Sequence, residues 1–188
     1  MVTIETVIVT VLPVIFLILL FGGGALFRRK NIDMDGKPPI NKVLFYASKY
    51  SIIILWGAMV LESWGISIAI VEIPAFITGI ALILWISGFL LLFLGRFELG
   101  SSFRLGTPQE DTSLKVSGLY RFSRNPMYLG VYATVIASVL YTLNPVVIFL
   151  GVCVIAIHHK IVLAEEEYME KAFGQEYREY SRRVRRYI

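Results

Sequence analysis

Seven consecutive residues, Arg124-Asn125-Pro126-Met127-Tyr128-Leu129-Gly130, open one hydrophobic stretch, and Glu165-Glu166 close the next about thirty-five residues later. An arginine, an amide, a phenol and paired carboxylates are groups that can hold a charged ligand. Pro126 suits the first position of a helix, where its missing N–H would be unpaired anyway. The residue before a proline is pushed towards extended backbone, so Arg124 and Asn125 project from the helix mouth. The free amides and positive dipole end there suit an anion such as a ligand carboxylate. The plain alternative is an interfacial anchor of Arg and Tyr, which membrane helices commonly carry. Glu165, Glu166 and Glu167 repel one another and need cations or donors nearby. A solvated helix start is the corresponding plain alternative for them.

These groups need a frame, and the composition says what kind. Of 188 residues, 56% are hydrophobic and 17% charged, too few charges for an ordinary soluble domain. The pattern predicts an all-α integral membrane protein of about five spans. They run from Val7 to Phe27, Val43 to Leu61, Ile73 to Gly95, Met127 to Leu143, and onward to about Leu163. Asn144-Pro145 make the turn of a C-terminal helical hairpin, so segments four and five are antiparallel neighbours. Residues 1–95 then form a three-helix scaffold, and residues 96–188 a loop, the hairpin and a tail. The loop at 96–126, rich in glycine, reads as irregular with short helical turns. The tail carries Met169, Phe173, Tyr177, Tyr180 and Val184 at spacings of three and four, which predicts an amphipathic helix bent or broken at Gly174. The first segment lacks the basic start and short apolar core of a cleavable signal and reads as a retained span.

Charge places the chain in the bilayer. Residues 28–42 hold Arg28, Arg29, Lys30, Lys37 and Lys42, whereas residues 62–72 hold Glu62 and Glu72 and no cation. Residues 96–126 hold Arg96, Arg104, Lys115, Arg121 and Arg124, and the Asn144 turn holds no charge. The positive-inside rule puts the N-terminus outside and the C-terminus, with both polar clusters, in the cytoplasm.

Other chemistries find little support. The net charge of +4 comes without a basic, aromatic-interleaved run, which argues against nucleic acid. Cys153 is the single cysteine and reads as a packing residue. His158 and His159 are adjacent and point roughly 100° apart on a helix, so no metal site is expected. Glu62 and Glu72 read as solvated. No Gly-x-Gly-x-x-Gly follows a strand, and no Ser/His/Asp arrangement stands out.

Together, the mouth of segment four and the tail after segment five resemble the isoprenylcysteine carboxyl methyltransferase family, in a compact prokaryotic form. The matching residues are Gly118-Leu119-Tyr120, Arg124 to Gly130, Glu165-Glu166, Met169, Phe173-Gly174-Gln175-Glu176-Tyr177, Tyr180 and Val184-Arg185-Arg186. Asn125 stands where that family usually has His. It keeps a donor and an acceptor but does not titrate, which fits binding rather than proton transfer.

The resemblance implies S-adenosylmethionine as cofactor, with S-adenosylhomocysteine as product. Leu114, Lys115, Tyr120, Asn125, Pro126, Met127, Tyr128, Gly130, His159 and one of Glu165 or Glu166 would bind it. Arg104, Arg121 and Arg124 would be candidates for orienting the acceptor, the carboxylate of a lipidated cysteine on a small molecule or a protein C-terminus. An apolar tunnel open to the bilayer would admit the prenyl chain. Weighed against this are a phospholipid, amine or thiol methyltransferase of the same group, a nicotinamide-dependent sterol-type reductase, and a non-enzymatic membrane scaffold. Oligomeric state is left open.

Overall fold

The computed structural model describes residues 3–28, 37–100 and 113–188, with side chains from residue 23 to 28 left aside. Five α-helices account for most of it: α1 (Ile4–Arg28), α2 (Lys42–Ser63), α3 (Ala75–Leu99), α4 (Pro126–Thr142) and α5 (Pro145–Arg183). A short 3-10 turn at Gly118–Arg121 precedes α4. The Arg104 candidate lies outside the described residues.

Four of these helices, α1, α2, α3 and α5, are long and apolar enough to cross a membrane, and α4 is a shorter apolar helix. At 1.5 Å per residue, α4 is about 25 Å long, close to the lower limit for a span. Their outer faces carry residues such as Val14, Ile18, Ile54, Ile83, Leu90 and Phe149, all exposed. In water that pattern would be a liability; against lipid chains it is the matching surface.

Helix boundaries follow local chemistry. Asn41 caps α2 by accepting from the amides of Val43 and Leu44 at 2.9 and 3.3 Å. At the hairpin, Leu143 adopts left-handed backbone (φ 40°). Asn144 then caps α5 through the amide of Val146 at 2.9 Å, and its own amide donates to Ile68 O at 2.8 Å. The Asn144-Pro145 turn therefore does what the sequence predicts, and it also pins the hairpin to the α2–α3 loop. Glu62, expected to be merely solvated, accepts from the amides of Ile68 and Ala69 at 2.5 and 2.7 Å and shapes that loop.

The expected tail helix is the direct continuation of segment five: α5 runs for 39 residues, with the expected bend at Gly174 (φ 53°, ψ −119°). Its length, about 58 Å, is nearly twice the hydrocarbon thickness. The apolar part of its sequence ends near Leu163, and the remainder is polar. After Arg183 the chain turns back as an extended strap.

The core lies where α1, α2 and α3 meet, as a set of tilted and edge-on rings: Phe16, Trp56, Trp85, Phe89 and Phe93. The tightest approach is between α3 and α4. A Cβ on Gly130 would lie 2.7 Å from Gly88 O, and one on Gly88 would lie 2.9 Å from Gly130 O. Only glycine at both positions lets these backbones touch, the small-residue packing that membrane helices use.

Candidate functional site

Three pieces of chain converge where α4 begins and α5 leaves the apolar layer. The first is the turn at 118–121. Gly118 has a φ of 62°, and a Cβ there would run into the Glu98 carboxylate. The glycine thus lets Glu98 accept from the Leu119 amide at 3.1 and 2.8 Å. The turn presents Tyr120, which is buried and whose carbonyl accepts from the Tyr180 hydroxyl at 2.5 Å. Burial, with Glu98 adding to it, pushes the Tyr120 phenol far above its ordinary value, so it stays neutral.

The second piece is the α4 mouth, and the third the α5 segment from Glu165 onward. Adjacent glutamates have different fates here. Glu166 receives Arg124 Nε at 3.1 Å and Nη2 at 3.0 Å, Asn125 Nδ2 at 2.8 Å and Arg186 Nε at 2.9 Å. Burial pushes its carboxyl up, but these donors outweigh that and hold it below the ordinary carboxylate value. Arg124 spends its Nη1 on the carbonyls of Ser181 and Val184, both at 2.9 Å, and its amide on Arg185 O at 3.0 Å. Burial alone would lower the guanidinium; its bonds to Glu166 win and raise it. Arg124 and Glu166 therefore form a clamp that holds the C-terminal strap on the hairpin.

Glu165 has a different partner. It receives the Tyr128 hydroxyl at 2.9 Å and lines a cavity of about 450 Å³. Burial pushes its carboxyl up to about 7, against the pull of the Tyr128 hydroxyl and of the Lys49 charge. A carboxylate so held gains from any cation that enters beside it.

Of the candidates read from sequence, Leu114, Lys115, Tyr120, Arg124, Asn125, Met127, Tyr128, Glu165 and Glu166 all line this cavity. Four others stand elsewhere. Pro126 is buried as the first residue of α4, a backbone role. Gly130 is spent on the contact with Gly88. His159 bonds the Tyr187 hydroxyl at 2.8 Å, and it is the adjacent His158 that lines the cavity, its Nδ1 donating to Val154 O at 2.9 Å. Arg121 lies over the Phe122 ring, 4.8 Å from its centroid, on the exposed side of the turn. No side chain caps α4, so its mouth keeps the open amides that an anion would take.

The cavity does not end at the polar residues. It extends between α1 and α2, lined by Phe16, Leu17, Leu20, Ile52, Ile53 and Trp56, with Tyr46, Lys49 and Tyr50 at the junction. Sequence reasoning missed this wall. Lys49 was the available signal, a lone cation between Val43 and Leu61, where a charge is costly.

A polar pocket at helix ends, opening into an apolar slot between spanning helices, fits the match found among known families: residues 74–176 match the phospholipid methyltransferase family. The chain belongs to that family. It falls within the isoprenylcysteine carboxyl methyltransferase-like group, the resemblance carried by the motifs from Gly118 to Arg186. No curated protein matches the chain. Membership makes this a membrane methyltransferase, and the matched span runs from Pro74, at the start of α3, through the Arg124–Tyr128 mouth to Glu176. The family is one of methyltransferases, which sets aside the reductase and scaffold alternatives.

Proposed function

We propose that this methyltransferase uses S-adenosylmethionine and transfers its methyl group to a lipophilic acceptor, the carboxylate of an isoprenylated cysteine or a close analogue. The observation that carries the proposal is the shape of one cavity. Its polar end gathers Tyr120, Asn125, Tyr128 and Glu165, and its other end is an apolar slot between α1 and α2. The donor set fits: a carboxylate and phenol faces suit a sulfonium, and the uncapped mouth of α4 suits an amino-acid carboxylate.

S-adenosylmethionine bound there supplies an electrophilic methyl carried on a positively charged sulfur. Glu165 and the rings of Tyr128 and Tyr120 would hold that charge, and the Arg124–Glu166 clamp fixes the walls on which they stand. The acceptor carboxylate is already ionised at neutral pH, so its oxygen attacks without a general base. Methyl transfer to that oxygen would leave no proton to move, so no residue of the site would have to act as acid or base. What the chain contributes is alignment and exclusion of water, worth orders of magnitude when the reacting atoms are held in line. By the charge pattern of the loops, the site faces the cytoplasm.

A second reading has its own observation. The family matched is named for phospholipid substrates, and His158 in the cavity wall is a base that an amine acceptor would need. Transfer of labelled methyl from S-adenosylmethionine, with purified protein and a panel of N-acetyl-S-farnesylcysteine, a lipid amine and a hydrophobic thiol, separates them. Label on the acid as a base-labile ester is expected. Label confined to the amine moves the assignment to the second reading, and no label on any acceptor removes the first.

A further inference from the structure

Resting on the donor-site reading above, we propose that Lys49 is the residue that positions the acceptor, by pairing with an anionic group at the head of its lipophilic chain. Lys49 is the one charged residue between Val43 and Leu61 of α2, about 10 Å along the helix from Lys42. Charges are placed at such depth where a function repays the desolvation. Among the described residues it is the cation that a spanning helix brings to the cavity wall.

Its place in the cavity defines the role. Its ammonium lies 4.1 Å from the centroid of the Phe45 ring, and it lines the same cavity as Glu165 and His158. It thus shares one cavity wall with the residues assigned to the donor and, on its own helix, with the apolar Ile52, Ile53 and Trp56. An amphiphile lying in that slot brings its headgroup to Lys49 and its chain between α1 and α2. Of the arginines that sequence alone proposed for this task, Arg104 lies outside the described residues, Arg124 is committed to Glu166 and the strap, and Arg121 stands on the exposed side of its turn, outside the cavity wall.

A cation at this point selects among acceptors. It attracts a carboxylate or a phosphate and repels an ammonium. The carboxylate is the better fit to the reaction, because the group paired with Lys49 is then the one that receives the methyl. A phospholipid phosphate shares the same chemistry and would place the methylated group one step further on.

The test uses full-length protein in detergent with S-adenosylhomocysteine present. Binding is measured for N-acetyl-S-farnesylcysteine, for its carboxamide, and for a short-chain phosphatidylethanolamine, on wild type, Lys49→Met and Lys49→Arg. Wild type should prefer the acid over its amide by about tenfold or more. Lys49→Met should lose that preference and Lys49→Arg should recover most of it, with S-adenosylhomocysteine affinity within about threefold throughout. Loss confined to the phosphatidylethanolamine arm would keep Lys49 as the anion partner and name the phosphate as its source. Equal binding of acid and amide by wild type, with the phospholipid unaffected by Lys49→Met, overturns the proposal without needing the variant to reveal acid binding. Failure of wild type to bind S-adenosylhomocysteine overturns instead the reading on which it rests.

Discussion

Replacing Arg124 by alanine removes the centre of the clamp, and its cost can be worked from the bonds it makes. Four side-chain bonds go: two to the Glu166 carboxylate at 3.1 and 3.0 Å, and two to the carbonyls of Ser181 and Val184 at 2.9 Å. Both partners of the ion pair are 12% exposed, so water replaces the lost donors poorly. Breaking a buried pair by removing one member costs about 3–5 kcal/mol. Here Arg186 and Asn125 stay with Glu166, which favours the lower end, about 3 kcal/mol. For a chain of this size that is a fall in melting temperature of roughly 6–12 °C. The strap should also come loose, so limited proteolysis at Arg182, Arg183, Arg185 and Arg186 should speed up. Arg124→Lys keeps a charge but not the two-pronged geometry, and should recover less than half of the loss. Thermal unfolding in detergent and digestion time courses check both. An Arg124→Ala protein that melts with wild type and keeps its strap protected would refute the clamp.

The other predictions concern the cavity and the helix contact. Glu165→Gln should weaken S-adenosylmethionine, a cation, by about tenfold or more while leaving S-adenosylhomocysteine, which lacks the sulfonium charge, within about threefold; equal losses for both would show that Glu165 does not meet the charge. Only the ionised carboxylate attracts a sulfonium, and with its carboxyl pushed up to about 7, wild-type affinity for S-adenosylmethionine should rise between pH 6 and pH 8. That rise should be absent in Glu165→Gln, as titration calorimetry would show. Tyr128→Phe removes a donor that lowers the Glu165 carboxyl, so the same pH profile should move to higher pH. Gly130→Ala, which forces a Cβ against Gly88 O, should lower the melting temperature by several degrees and leave the pH profile in place.

How much of this was readable from the chain differs by element. Span positions, the Asn144-Pro145 turn and the Pro126 start were legible because hydrophobic length, Pro and Asn act locally. The meeting of Arg124–Tyr128 with Glu165-Glu166 followed from the hairpin. What could not be read is which side of each apolar helix faces protein, because lipid is as good a neighbour for Leu or Ile as another helix is. Gly130 therefore looked like part of the ligand site when it is a backbone contact with Gly88, and the α1–α2 slot left only the lone cation Lys49 as a sign. The same holds for the pair of histidines, where helical spacing says that one turns inward without saying which. Glu165 and Glu166 could be told apart only once the strap was seen to return and bring Arg186 and the carbonyls that engage Arg124.

Ultraviolet cross-linking of labelled S-adenosylmethionine to the full-length protein, followed by peptide mapping, tests the donor site where it is claimed to be. The label should fall on peptides holding Tyr120, Met127–Tyr128 or Tyr177–Tyr180, and excess S-adenosylhomocysteine should abolish it. Label on the α2–α3 loop, or label that S-adenosylhomocysteine does not compete away, would contradict the account.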